Sequence, residues 1–170
     1  MMELIEHTIK PVYDENSKIL ILGTMPSPKS REYGFYYSHP QNRFWRVVSD
    51  LYGQSAPTTI EEKTAFLLQN RIALWDVLKS CRIEGADDGS IKDPVPNDIA
   101  ALLAQTNIRA VFTTGTKAAS LYKRFCQKSA GPAIALPSTS PANCRHYNYE
   151  RLKAAYRIIL QYAGKEPSGK

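Results

Sequence analysis

Four short apolar runs, each closed by glycine, proline or a polar loop, constrain this chain more than any other feature. They are "KILILG" at 18–23, "RIALWDVL" at 71–78, "RAVFTTG" at 109–115 and "AIALP" at 133–137. Runs this short and this apolar suit buried strands rather than helices. Between them the period changes. Phe44, Val47, Val48, Leu51 and Tyr52 recur at helical spacing until Gly53, and Thr59 with Glu62 forms a capping-box pair ahead of "KTAFLLQ". Asn97 can cap "DIAALLAQ", Thr116 opens "TKAASLYKRFCQ", and Leu152, Ala155, Tyr156, Ile159, Leu160 and Ala163 share one face of a last helix. The glycines, prolines and aspartates of "GADDGSIKDPVP" at 85–96 predict a loop. Strands alternating with helices predict an α/β domain with a mainly parallel sheet, whose functional loops lie at the carboxyl ends of the strands. With no repeat or linker, residues 1–170 are expected to form a single domain, with an ordered core over about 17–163 and a frayed tail at 164–170.

Composition narrows the function classes. At 43% hydrophobic and 22% charged residues, the chain matches a soluble globular protein able to bury a core without disulfide or metal staples. The cysteines, Cys81, Cys126 and Cys144, are far apart and one short of a four-cysteine metal site, so they are expected as reduced thiols in a cytosolic protein. The start "MMELIEHTIK" lacks the pattern of an export signal, and no apolar run approaches the length of a membrane span. The net charge of +6 is unevenly placed. Residues 29–46 and 116–151 are basic, whereas acids outnumber bases over 54–107. Two readings follow: a cationic face for a polyanion, nucleic acid first, or a mildly basic surface that only keeps the protein soluble.

Two loops stand at predicted strand ends. "GTMPSPKS" at 23–30 has neither GxGxxG spacing nor a GxxxxGK[ST] lysine, which argues against a nucleotide-binding turn. It continues into a stretch where Tyr33, Phe35, Tyr36 and Tyr37 offer faces for base stacking and Arg31, Arg43 and Arg46 offer phosphate contacts. The same residues also fit a plainer account, in which the aromatics pack a core and Asn42 caps the helix that follows. The second loop, "LPSTSPANC" at 136–144, joins three hydroxyl residues to two prolines, fitting either a rigid phosphate grip or an ordinary Ser/Pro turn.

Taken in order, "ILGTMP", "HPQNRFW", "LWDV" and "LPSTSPAN" resemble the motifs of the uracil-DNA glycosylase superfamily, and "YYSHPQNRFW" with "LPSTSPAN" is similar to its hypoxanthine-DNA glycosylase (DNA-deoxyinosine glycosylase) branch. The resemblance covers residues 17–163. It implies a three-layer α/β/α fold around a four-stranded mainly parallel sheet. It also implies a monofunctional enzyme, needing no cofactor or metal, that flips hypoxanthine, uracil or xanthine out of DNA and hydrolyses the N-glycosidic bond. On this resemblance the base pocket is formed by Gly23, Thr24, Met25, Pro26, Phe35, Tyr36, Tyr37 and His39. Asn42 is the catalytic group, its amide oxygen holding the water, because Met25 stands where related branches carry an aspartate or asparagine. Arg43, Ser138, Thr139, Ser140, Pro141 and Asn143 contact DNA. The expected partner is double-stranded DNA with a deaminated base, bound by a monomer in the cytoplasm, at the nucleoid in a bacterium. Competing readings are a non-catalytic nucleic-acid-binding module of the same fold and a hydrolase of free nucleosides.

Overall fold

A computed structural model, describing residues 2–164, turns the four apolar runs into one parallel sheet. Its strands are β2 (Ile19–Gly23), β3 (Ile72–Asp76), β6 (Ala110–Thr114) and β7 (Ile134–Leu136), in the order β3-β2-β6-β7. Register aligns their carboxyl ends: Gly23 pairs with Asp76, Leu22 with Thr113, and Thr114 with Leu136. Four chain exits therefore open on one edge, the arrangement that places ligand sites in open α/β sheets.

The central strand β2 is wholly buried, as an apolar run covered on both faces must be. Ile19, Ile21, Ile72 and Leu74 face one core, filled from α2 (Phe44–Leu51), α3 (Ile60–Gln69), α7 (Tyr149–Tyr156) and α8 (Ile158–Ala163). Leu20, Leu22, Ala73 and Val111 face the other, filled from α4 (Ile99–Ala104) and α5 (Thr116–Phe125); the short α1 (Pro28–Tyr33) follows β2 and α6 (Gln127–Ala130) follows α5. This is the expected three-layer fold. The capping box forms as read, with Thr59 Oγ1 accepting from the Glu62 N–H and Glu62 Oε1 accepting from the Thr58 and Thr59 amides.

Several local expectations are corrected. The run 71–78 is divided: β3 ends at Asp76, and Leu78 begins β4 (Leu78–Glu84) of a second, antiparallel sheet ordered β1-β4-β5. Its β1 (Glu3–Glu6) comes from the N-terminal segment, and β5 (Asp87–Pro96) occupies most of the stretch expected as a loop. Edge position explains β5, since an edge strand can leave one row of N–H positions unpaired and so accept Pro94 and Pro96. Asp98, not Asn97, caps α4, accepting from the Ala101 N–H. Asn97 is buried and donates through Nδ2 to the carbonyls of Asp76 and Leu78, pinning the corner between the two sheets. The cap residue of α5 is Gly115, in the left-handed region at φ 93°, and Thr116 is its first helical residue. The last helix breaks at Arg157 into α7 and α8, although Leu152, Tyr156, Ile159 and Ala163 all keep their buried side. The expected frayed tail lies, apart from Gly164, outside the described residues.

Candidate active site

A cavity of about 320 Å³ opens across the aligned strand ends. Gly23, which ends β2, and Thr24, Met25 and Pro26 after it line the cavity. The aromatic run then splits. Phe35 turns away from the cavity into the core, its ring packed against Tyr36 and Trp45. Tyr36 contributes to the cavity wall, yet its hydroxyl donates to the carbonyls of Ile9 and Lys10 and its ring is buried. Tyr37 is the residue delivered to the site. Its backbone is left-handed at φ 53°, a conformation costing a bulky residue about 1–2 kcal/mol. One face of its ring is stacked on Phe44 at 4.1 Å, and its hydroxyl lies 3.5 Å from Thr114 Oγ1. Burial above all, reinforced by the nearby Asp76 charge, raises the Tyr37 hydroxyl far above its ordinary pKa, so it remains an O–H donor.

The HPQN turn closes with the Asn42 N–H donating to the His39 carbonyl. His39 Nδ1 accepts from the Gln41 N–H at 3.1 Å, which puts the ring proton of the neutral form on Nε2. Asn42 Oδ1 accepts twice, from the Phe44 N–H at 2.9 Å and from the Thr139 hydroxyl at 2.7 Å. A backbone N–H can only donate, so the oxygen is identified and both its lone pairs are engaged. The cap-like bond to α2 is therefore real. The Nδ2 amino group has no protein partner among the described residues, and Asn42 lines the cavity.

The loop after β7 is stapled to this turn. Besides the Thr139–Asn42 bond, the Arg43 N–H donates to the Thr139 carbonyl, and the Tyr156 hydroxyl donates to the Pro137 carbonyl at 2.6 Å. Thr139 is buried, whereas Ser138, Ser140 and Pro141 also line the cavity but lie closer to solvent. Asn143 braces the loop from behind by donating to the Ser138 carbonyl. Arg43 also faces inward: Nη1 donates to the Tyr147 carbonyl, while Nε and Nη2 are enclosed without a protein acceptor among the described residues.

Sequence reasoning missed other parts of the site. Asp76 and Thr114, at the ends of β3 and β6, line the cavity, and Asp88 reaches it from β5. Asp76 is buried with Oδ2 2.7 Å from His7 Nε2, and the His7 side chain is buried with it. An acid interrupting the apolar run "RIALWDVL" was the available signal, since a charge at a parallel strand's carboxyl end faces the site edge. The partner 69 residues upstream had none. Among the described residues, no cluster of three or more His, Cys, Asp or Glu is arranged to hold a metal ion. No helix among them is long and apolar enough to cross a membrane.

A parallel α/β sheet whose strand ends jointly wall a small cavity of aromatic, amide and carboxylate groups defines an enzyme of the α/β class that binds a compact, polar-edged ligand. The uracil DNA glycosylase superfamily profile matches residues 10–163. A hypoxanthine DNA glycosylase of Methanosarcina acetivorans is 37% identical over 144 residues, covering 84% of this chain and 90% of that protein. A second, from Methanosarcina barkeri, is 35% identical over 137 residues, covering 79% and 86%. A solution NMR structure of a Methanosarcina acetivorans protein, described as a uracil DNA glycosylase candidate, superposes with a TM-score of 0.77 at 34% identity over 92% of this chain and 99% of that one. The chain belongs to the uracil DNA glycosylase superfamily.

Proposed function

We propose that this protein is a DNA glycosylase that swings a deaminated base, hypoxanthine foremost, out of duplex DNA and hydrolyses its N-glycosidic bond. One observation carries the reading: the HPQN turn and the Ser/Pro loop, distant in sequence, are bonded through Asn42 and Thr139 into one wall of a cavity at the strand ends. The activity named for the two curated relatives supports hypoxanthine as the base. Extruding a base costs a few kcal/mol of unstacking, which a preformed pocket offsets. Here the pocket wall is held by bonds already made in the free protein.

Within that cavity, Asn42 acts through its amino group and not through the amide oxygen expected from the sequence, whose lone pairs are taken by Phe44 and Thr139. Nδ2–H donates to one lone pair of a water, leaving the other to add to the anomeric carbon. Cleavage leads, so the carbon is already cation-like and the water needs placement more than a strong base. The base departs with the bonding electrons, and the proton that the water sheds on adding to carbon passes through solvent to the departing base. Ser138, Ser140 and Pro141 form the rim that meets the DNA backbone, with Thr139, Asn143 and Arg43 bracing it from inside. One chain, one duplex and one water suffice.

The test is incubation with duplexes carrying a single hypoxanthine, uracil or xanthine, followed by alkaline cleavage at abasic sites. Cleavage at hypoxanthine, retained in EDTA, is the expected result. Tight binding of the damaged duplex without abasic sites would instead identify a binding module. Release of base from the free nucleoside alone would identify a nucleoside hydrolase.

A further inference from the structure

The side chain that Gly23 lacks would fall among three oxygens. A Cβ built there would lie 2.6 Å from Asp76 Oδ1, 3.4 Å from the Tyr37 hydroxyl and 3.7 Å from Thr114 Oγ1. These oxygens reach one point from the ends of β3 and β6 and from the left-handed Tyr37. Asp76 is only 4% exposed, and burying a carboxylate without a partner is costly. His7 supplies the partner from beyond β1, at 2.7 Å from Oδ2, and the His7 backbone N–H is itself tied to the Lys79 carbonyl on β4. Oδ1 is left without a protein donor among the described residues, and Asp76 lines the cavity. A purely structural His–Asp pair has no need of a free oxygen at a ligand site.

We infer that His7 is a positioning residue for base selection: it holds Oδ2 of Asp76 so that Oδ1 accepts the ring N–H of the flipped base, while the Tyr37 hydroxyl donates to the adjacent carbonyl. This rests on the base-flipping reading above. Hypoxanthine, uracil and xanthine share a lactam edge, a C=O beside an N–H. Adenine and cytosine present an amino group beside a bare ring nitrogen, whose lone pair would face the carboxylate and be repelled. A carboxylate acceptor beside a hydroxyl donor is complementary to the first edge and not to the second. Sites built to hydrogen-bond a donor reject analogues lacking it far more strongly than apolar pockets do, because a buried group is left unpaired. His7 touches no substrate in this scheme. It acts through Asp76, and so makes the N-terminal segment part of the specificity apparatus.

The experiment compares wild type with Asp76→Asn, His7→Ala, His7→Gln and the His7→Ala/Asp76→Asn double variant. Two quantities are read: single-turnover cleavage of hypoxanthine duplex with its duplex affinity, and binding of free hypoxanthine against free adenine by calorimetry. Asp76→Asn should lose about 10²-fold or more in cleavage with duplex affinity little changed, together with the preference for hypoxanthine over adenine. His7→Ala should lose about 10-fold and narrow the same preference, while His7→Gln, which restores an N–H donor, recovers most of it. The double variant should be no worse than Asp76→Asn alone, as for residues acting as one unit. Should His7→Ala not fold, His7→Met against His7→Gln makes the same comparison of no donor with donor. Unchanged hypoxanthine preference in a folded Asp76→Asn protein overturns the inference and leaves the glycosylase reading standing. Equal losses for the two free bases in the His7 variants also overturn it. A wild type inert on every duplex removes the glycosylase reading, and the inference with it.

Discussion

Replacing Gly23 with alanine tests the crowding at the strand ends with a sign as well as a size. The backbone there is not left-handed, so a Cβ carries no conformational penalty, and Gly→Ala at a compatible site stabilises by about 0.4–1 kcal/mol through the unfolded chain. Against this stands a contact of 2.6 Å with Asp76 Oδ1, which must retreat by about 0.8 Å to reach the 3.4 Å of ordinary contact. The retreat is resisted by the 2.7 Å bond to His7 and by a buried setting. Overpacking of this kind costs about 1–3 kcal/mol. The net expectation is a loss of about 0.5–2 kcal/mol, read as a fall of roughly 1–8 °C in Tm for a chain of this size. Cleavage should fall by about 10²-fold, since a misplacement near 1 Å has that effect. The control is the same substitution in an Asp76→Ala background. With Oδ1 gone the clash vanishes, and Gly23→Ala should become stabilising. Urea denaturation of the four proteins measures both steps. If alanine is stabilising in both backgrounds, or equally destabilising in both, the oxygens are not crowded around Gly23 and the reasoning fails.

Other outcomes follow from the same geometry. Asn42→Asp keeps an acceptor for Phe44 and Thr139 but offers the cavity no N–H, so it should fold with a near-native Tm and lose about 10²-fold in single-turnover rate; wild-type activity in this variant would return the role to the cap alone. Ser140→Ala with Asn143→Ala removes the acceptor for the Ala142 N–H and the brace on Ser138, and should lower duplex turnover with at most a few degrees lost from Tm by calorimetry. The Glu62 carboxyl is held below its ordinary pKa by donors from Thr58, then Thr59. A group depressed in the folded state stabilises above its unfolded pKa and loses that contribution as pH falls through the folded one. The Tm advantage of wild type over Glu62→Gln should therefore shrink as pH falls from about 6 to about 3. Affinity for duplex should drop steeply with added salt, as counterion release requires, and a flat titration would point away from DNA.

Legibility in the sequence followed the range of the forces involved. Local signals came through: the apolar runs became the parallel sheet, the Phe44, Val47, Val48 periodicity became α2, and Thr59–Glu62 formed its capping box. Where neighbours in space decided the outcome, local rules misread it. Residues 87–96 carry turn chemistry, yet pairing with β4 makes them an edge strand, and Asn97 gave up capping to satisfy two carbonyls at the corner between the sheets. Phe35, Tyr36 and Tyr37 are near-equivalent as letters, yet Phe35 is spent in the core, Tyr36 divides between core and cavity wall, and Tyr37 brings its hydroxyl to Thr114 at the strand ends. His7 and Asp76 meet through the pairing of β1 with β4, a contact that no spacing along the chain announces.

The alignment of strand ends also works as a ruler. From Asp76 on β3 to the loop after β7 there are three strand-to-strand steps, roughly 14 Å at the usual spacing of a hydrogen-bonded sheet. That span is set by backbone ladders and not by the side chains that line the cavity. Substitutions at the rim can change which atoms greet a ligand while the frame keeps its width. The width of the opening and the chemistry of its lining are therefore set by separate parts of the chain.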